Sequence, residues 1–196
     1  MALRARVRQL LAQYFEQPGA RLLHAARLTP NAVTLLGLAL TGVAACLAAQ
    51  GNFIIAGVVF LAASALDMLD GALARLTNQA TRFGAALDSA ADRLGEAFIL
   101  LGVAWFYVRT DNDAGAILAF GATVASYMVS YLRARGEGLG IVMKETGLGT
   151  RTERVVIMAV GLLTGLVVPA MALVLALSAF TSGQRLYHLW RQGNKK

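Results

Sequence analysis

Apolar positions along the chain gather into helix-length blocks separated by short polar breaks. The blocks are Pro30–Gln50, Phe53–Leu76, Phe83–Val108, Ala114–Arg133, Arg154–Val168 and Pro169–Leu189. Within each block the apolar residues run on without the strict alternation of a half-buried strand, and most blocks approach the ~20 residues that a bilayer-spanning helix needs. The pattern predicts an all-α integral membrane protein with six transmembrane helices. The last two blocks read at first as one, because Val155 to Phe180 is a single apolar run. A helix from Arg154 to Trp190, however, would be roughly 55 Å long at 1.5 Å per residue, too long for one crossing. Pro169 suits the first turn of a new helix, so two spans are expected with the break just before it.

Ahead of the first block, Val7, Leu10, Leu11, Tyr14 and Phe15 follow i, i+3, i+4, i+7, i+8 spacing, with Arg6, Arg8, Gln9, Gln13 and Glu16 between them. This is the pattern of an amphipathic helix lying in the headgroup layer, not of a cleavable signal peptide. Pro18-Gly19 is expected to end it. Thr29-Pro30 then reads as an N-cap followed by a first-turn proline. The expected organisation is a juxtamembrane helical region, residues 1–28, and one six-helix transmembrane domain, residues 29–196.

The basic residues orient these spans. With six crossings, sixteen of the eighteen Lys and Arg residues lie on one side, in the N-terminal segment, the second–third and fourth–fifth connections, and the C-terminus. The other side keeps Arg109, accompanied by Asp111 and Asp113, and Arg93 lies within a span. By the positive-inside rule both termini and the longer loops are cytoplasmic. Five crossings would strand the last four bases outside.

Composition sharpens this picture by exclusion. The chain has 196 residues, 57% hydrophobic and 15% charged, against about 25% charged in an average soluble domain. That rules out both a water-soluble globule and a disordered chain. The net charge of +7 is accounted for by membrane topology, so no nucleic-acid partner is expected. One cysteine, Cys46, and two histidines, His24 and His188, exclude a disulfide framework and the Cys- or His-based metal sites.

Carboxylates inside spans are costly, by at least ~2.5 kcal/mol each. Yet Asp67 and Asp70 stand near the cytoplasmic end of the second span, and Asp88 and Asp92 near the cytoplasmic start of the third. Their i, i+3 and i, i+4 spacings put each pair on one helix face. The short polar connection Thr77-Asn78-Gln79-Ala80-Thr81-Arg82 makes the two helices antiparallel neighbours, so that four carboxylates can converge. Such a set cannot stay ionised without a cation, and an all-oxygen donor set suits Mg²⁺ or Mn²⁺. Glu96 continues the Asp92 face as a candidate supporting group. Gly71 and Gly84 clear space beside the carboxylates, and Arg75 adds a base, a combination that suits a phosphorylated, partly lipidic substrate. A cation- or proton-coupled transporter could also use intramembrane carboxylates, but it has no need of the glycine and arginine positions. A non-enzymatic scaffold gains nothing from the charge cluster.

The run Asp67-Met68-Leu69-Asp70-Gly71-Ala72-Leu73-Ala74-Arg75, followed by Gly84, Asp88 and Asp92, resembles the CDP-alcohol phosphotransferase signature D-x2-D-G-x2-A-R-x8-G-x3-D-x3-D at every fixed position. The likeness extends to six spans, an amphipathic N-terminal helix and a length near 200 residues. It implies transfer of a phosphatidyl group from CDP-diacylglycerol to an alcohol with release of CMP, helped by two Mg²⁺ ions for which Mn²⁺ can substitute. Carried onto this chain, it makes Asp67, Asp70, Asp88 and Asp92 metal ligands and Asp92 also the general base. Asn31, Thr34, Asp67, Gly71, Arg75 and Thr81 would hold the CDP-lipid. Members of the family are typically homodimers.

The signature does not name the acceptor. Arg133, Arg135, Arg151, Arg154 and Arg185 come from three helices that could surround one cavity, and guanidinium forks suit a phosphate monoester. Positive-inside anchoring accounts for some of these bases by itself. Within the family, the run Ser130-Tyr131-Leu132-Arg133-Ala134-Arg135-Gly136-Glu137 resembles the prokaryotic phosphatidylinositol-phosphate synthases, which implies myo-inositol phosphate as acceptor. Glycerol 3-phosphate, giving phosphatidylglycerol phosphate, is the alternative within the same chemistry.

Overall fold

Seven α-helices account for nearly all of the computed structural model, which describes residues 12–143 and 147–193. A π-helical turn, Ala12–Glu16, leads into α1, Gln17–Ala25. The others are α2 (Pro30–Ala49), α3 (Phe53–Leu76), α4 (Arg82–Arg109), α5 (Asp113–Gly138), α6 (Arg151–Thr164) and α7 (Val167–Gly193). The six expected apolar blocks correspond to α2 through α7. Of these, α2, α3, α5 and α7 are long and apolar enough to cross a membrane, and only a third of the most apolar stretch of each is buried within the protein. The rest of that surface is apolar: Ile54, Ile55 and Val58 on α3 and Ile117, Phe120 and Val124 on α5 are all exposed. A surface of this kind is stable against lipid and not against water. The chain is therefore a multi-pass membrane protein. Helix α4 has 28 residues, but Asp88, Asp92, Arg93 and Glu96 interrupt its apolar character. Helix α6 has 14 residues, only about 21 Å at 1.5 Å per residue.

Local sequence explains most helix ends. Thr29 caps α2, its Oγ1 accepting from the Ala32 N–H at 3.3 Å, and Pro30 begins the helix, where its missing N–H costs nothing. Asn78 closes α3 in the left-handed region, φ 53°, a conformation that asparagine tolerates. The Gln79 N–H then reaches back to the Ala74 carbonyl at 3.0 Å. Thr81 caps α4 by accepting from the Gly84 N–H at 2.9 Å, and Asn112 caps α5 through the Gly115 N–H at 3.0 Å.

Two expected boundaries are corrected. The break between the last two helices falls at Gly165-Leu166 and not at Pro169. Gly165 ends α6 in the left-handed conformation, φ 74°, its N–H returned to the Leu162 carbonyl. Pro169 is the third residue of α7, within the first turn, whose N–H groups have no intrahelical acceptor. Pro18-Gly19 also fails to end a helix. Pro18 sits in the first turn of α1, and a Cβ on Gly19 would lie 2.6 Å from Leu69 Cδ2, so this glycine serves close packing. Of the expected amphipathic stretch, Val7, Leu10 and Leu11 lie outside the described residues.

Two compact units can be distinguished. The first comprises residues 1–42 and 59–95, the second residues 43–58 and 96–196. In the first, Ala20 of α1 is buried with Val33 of α2 and Ala72 and Leu73 of α3, backed by Leu23, Leu28 and Leu66. In the second, α5 and α6 both pack on α7. Ser126 and Ser178 meet there at 3.5 Å among the buried side chains Val129, Met171 and Val174.

Candidate active site

The polar turn between α3 and α4 brings the two halves of the aspartate motif together. Asp67, Asp70 and Asp88 each offer one carboxylate oxygen, and the three oxygens lie within 4.8 Å of one another. Asp70 is buried; Asp67 and Asp88 are partly so. The Thr34 Oγ1 stands 2.5 Å from Asp70 Oδ2 and 3.1 Å from the Pro30 carbonyl. Having one proton, the hydroxyl donates to the carboxylate, the stronger acceptor. Thr34, expected to help hold the CDP-lipid, thus also orients an acid of the cluster. Asp92 stands outside the triad, one turn beyond Asp88 along α4, partly buried, with Oδ2 3.9 Å from Arg93 Nη1.

Three carboxylate oxygens at this separation need only a small contraction to meet one hard cation, whose oxygen ligands lie at about 2.0–2.6 Å for Mg²⁺ and Ca²⁺. No thiolate or imidazole takes part. The donor set therefore fits a divalent metal ion of the oxygen-preferring class.

Beside the triad is a cavity of about 230 Å³. Its walls include Asn31, Thr34, Asp70, Gly71, Arg75, Thr81 and Asp88. Five of the six residues expected to hold the CDP-lipid therefore line one space, and Asp67, the sixth, adjoins it through the carboxylate triad. A Cβ on Gly84 would lie 3.1 Å from Thr81 Oγ1 and 3.2 Å from Asn31 Oδ1. That contact explains why glycine holds the position: a methyl group would press on two lining side chains. Gln79 and Ala80 also line the cavity. Their polar turn is thus a wall of the cavity as well as the connection that the sequence suggests. Arg75 reaches past the cavity to Glu16, Nη2 to Oε2 at 3.0 Å.

The five arginines expected to hold the acceptor phosphate all lie in the second unit, but their surroundings differ. Arg133 and Arg135 are exposed and Arg151 is partly buried. Arg133 pairs with Glu137 one turn on, at 3.0 Å. Arg185 is buried, 5% exposed, and donates to the Val129 carbonyl of α5 at 2.5 Å. Arg154 is 2% exposed. Its Nε and Nη2 donate to Glu96 Oε1 and Oε2 at 2.5 and 2.8 Å, and its Nη1 donates to the Gly149 carbonyl at 3.0 Å. Glu96, expected to support the carboxylate cluster, is bound to this guanidinium. Its position four residues after Asp92 suggests a shared role, while the partner that claims it lies 58 residues further along the chain, beyond the reach of spacing arguments.

Comparison with known proteins places this arrangement. The phosphatidylinositol phosphate synthase of Corynebacterium glutamicum is 39% identical over 176 residues, 88% of this chain and 80% of that protein. The archaetidylinositol phosphate synthase of Pyrococcus horikoshii is 37% identical, over 93% of this chain and 94% of that one. Crystal structures of the phosphatidylinositol phosphate synthase of Mycobacterium tuberculosis superpose closely. The form with CDP-DAG bound gives a TM-score of 0.83 at 30% identity, over 90% of this chain and 94% of that one. The complex with manganese and citrate gives 0.82 at 31% identity, over 89% and 88%. Residues 27–182 match the model of CDP-alcohol phosphatidyltransferases, a stretch that holds the aspartate motif, the cavity and four of the five arginines; the chain belongs to the CDP-alcohol phosphatidyltransferase family.

Proposed function

We propose that this enzyme transfers the phosphatidyl group of CDP-diacylglycerol to myo-inositol phosphate and releases CMP. The observation that carries the reading is the carboxylate triad opening on a cavity walled by Asn31, Thr34, Gly71, Arg75 and Thr81. This is an anion-tolerant recess beside a metal-competent acid cluster, as a nucleoside diphosphate requires. Asp67, Asp70, Asp88 and Asp92 hold two Mg²⁺ ions, which Mn²⁺ can replace; when bound, such ions offset the diphosphate charge and stabilise the departing CMP. Arg75 and Thr81 hold the nucleotide moiety, and Thr34 keeps Asp70 in register. Asp92 takes the proton from the attacking hydroxyl. That oxygen forms a bond to the β-phosphorus, and the bond from the β-phosphorus to the bridging oxygen breaks, so that the bridging oxygen leaves with CMP. No covalent enzyme intermediate is needed.

The acceptor assignment rests on the arginines of the second unit and on the names of the relatives. A phosphorylated acceptor meets the charge and fork geometry of guanidinium groups, which free inositol does not. The archaeal relative, named for an archaetidyl product, favours testing an ether-linked donor beside the diacyl one. We further read α2 through α7 as six crossings, with both termini and the cavity cytoplasmic. Residues 1–28 form the interfacial helical region and residues 29–196 the catalytic domain, and the working form is a homodimer. The test is CMP release from CDP-diacylglycerol with myo-inositol phosphate, glycerol 3-phosphate and free inositol at equal concentrations. Inositol phosphate is expected to be used best. Preference for glycerol 3-phosphate overturns the acceptor, and equal use of free inositol removes the argument for a phosphate pocket.

A further inference from the structure

Glu96 and Arg154 form the most buried charge pair among the described residues, and the transfer step uses neither directly. Both carboxylate oxygens of Glu96 accept from one guanidinium, the bidentate geometry that fixes an arginine in one orientation. The same guanidinium donates onward to the Gly149 carbonyl. Three of the five N–H groups of Arg154 are thereby spent on protein atoms, and the side chain is almost wholly enclosed.

What the pair holds is the approach to α6. The Gly149 carbonyl is fixed by Arg154, and the Gly149 N–H donates to Thr181 Oγ1 of α7 at 2.9 Å. The Leu148 N–H donates to Gln184 Oε1 at 3.3 Å. The loop is therefore tied on one side to α4, through Glu96 and Arg154, and on the other to α7. Two residues after Gly149, α6 begins with Arg151, which is partly buried. Arg185 follows Gln184 on α7.

Resting on the acceptor reading above, we infer that Glu96 is a positioning residue for the acceptor phosphate. Through Arg154 it fixes the loop that places Arg151, and it takes no part in holding the metal. Arg154 is thereby moved from the ring of direct phosphate ligands to the frame behind it. A carboxylate supporting the metal cluster and one framing the acceptor site give different kinetics, and this separates the two roles.

The experiment is steady-state CMP release by the full-length enzyme reconstituted in lipid vesicles, comparing wild type with Glu96→Gln, Arg154→Lys and the double variant. Glu96→Gln is expected to raise the KM for inositol phosphate by ~10- to 10²-fold, the scale of a misplaced positioning group. The KM for CDP-diacylglycerol and the Mg²⁺ concentration giving half-maximal rate should stay within about twofold of wild type. Arg154→Lys keeps the charge but loses the fork, and should behave as Glu96→Gln does. The double variant should be no worse than the worse single one, because partners in one contact are not additive. A raised Mg²⁺ requirement in Glu96→Gln overturns the inference in favour of metal support. An unchanged acceptor KM, or an equal rise in both substrate KM values, also overturns it. If Glu96→Gln does not fold, Glu96→Asp, which keeps the charge with shorter reach, is read by the same criteria. Wild-type enzyme that ignores inositol phosphate overturns the acceptor reading instead, and Glu96 is then judged on the phosphorylated acceptor that it does use.

Discussion

The molecule gathers like charges in two places and treats them differently. In the first unit, three carboxylate oxygens share a space 4.8 Å across, and the buried Asp70 accepts from neutral groups, the Thr34 hydroxyl and the Gly71 backbone. In the second unit, Arg154 is matched by a carboxylate and a carbonyl, and Arg185 donates to a carbonyl. A hydroxyl orients a charge without cancelling it, whereas a bidentate carboxylate does both. Asp70 therefore keeps a charge that a cation from outside can meet, whereas the charge of Arg154 is already met within the fold. Charge clustering alone does not mark a binding site; the deciding feature is whether the protein has already neutralised the cluster.

The sharpest way to break this contrast is at the acids. Asp67→Asn, Asp70→Asn and Asp88→Asn should each cut CMP release by at least ~10³-fold, because a metal's charge stabilisation amounts to several kcal/mol. Chelation with EDTA should do the same to wild type, and added Mg²⁺ or Mn²⁺ should restore it. Full turnover after exhaustive chelation would end the metal reading.

Asp92 should come next. Standing outside the triad, it can be lost while three carboxylates remain. Asp92→Asn should keep most of the CDP-lipid affinity, measured by equilibrium binding, while turnover falls by ~10²- to 10⁴-fold, the range for a lost general base. Turnover near wild type across neutral pH would leave Asp92 a structural residue only.

A paired substitution then tests the two units against each other. Arg75→Ala should raise the KM for CDP-lipid by about 10-fold and leave that of the acceptor near wild type. Arg151→Ala should do the reverse by a similar factor, since a hydrogen bond to a charged group is worth about 1.5–3 kcal/mol. If both variants shift both KM values together, the units do not divide the substrates between them.

What could be read from sequence follows the same division. The aspartate motif is legible because its eight fixed positions span only 26 residues, so helical spacing and one short turn suffice to bring Asp67, Asp70 and Asp88 together. The helix positions were legible for a related reason: an apolar run of that length has few alternatives in a membrane. The sequence locates the arginines but does not rank them. Whether Arg154 faces a ligand or the carboxylate of Glu96 depends on helix packing between residues 58 apart, for which one sequence carries no period. The boundary at Gly165 is harder to read for a smaller reason. Pro169 does lie in the first turn, as its residue type suggests, but two residues precede it in α7, and the left-handed Gly165 marks the stop of α6.

The smallest expected effect makes the most direct comparison, because it repeats the Glu→Gln change in an open setting. Glu16 Oε2 lies 3.0 Å from Arg75 Nη2, a single contact where Glu96 and Arg154 make two, and the Arg75 side chain is 68% exposed where that of Arg154 is 2% exposed. Exposed pairs contribute roughly 0.2–1 kcal/mol, equivalent to no more than about fivefold in a binding constant. Arg75 lines the cavity, and on the proposed reading it holds the CDP moiety there, so Glu16 would compete with the substrate's diphosphate for it. Glu16→Gln should therefore lower the KM for CDP-lipid, by less than about fivefold, and should leave the acceptor KM unchanged. Salt screens exposed charges over about 10 Å at 0.1 M and only about 3 Å at 1 M, so the gain should shrink as salt is raised. The acceptor defect of Glu96→Gln, set by a buried pair, should persist. A rise in the CDP-lipid KM of Glu16→Gln would mean that Glu16 holds Arg75 in its working position and does not compete for it. Equal salt sensitivity of the two variants would mean that burial does not separate the two pairs.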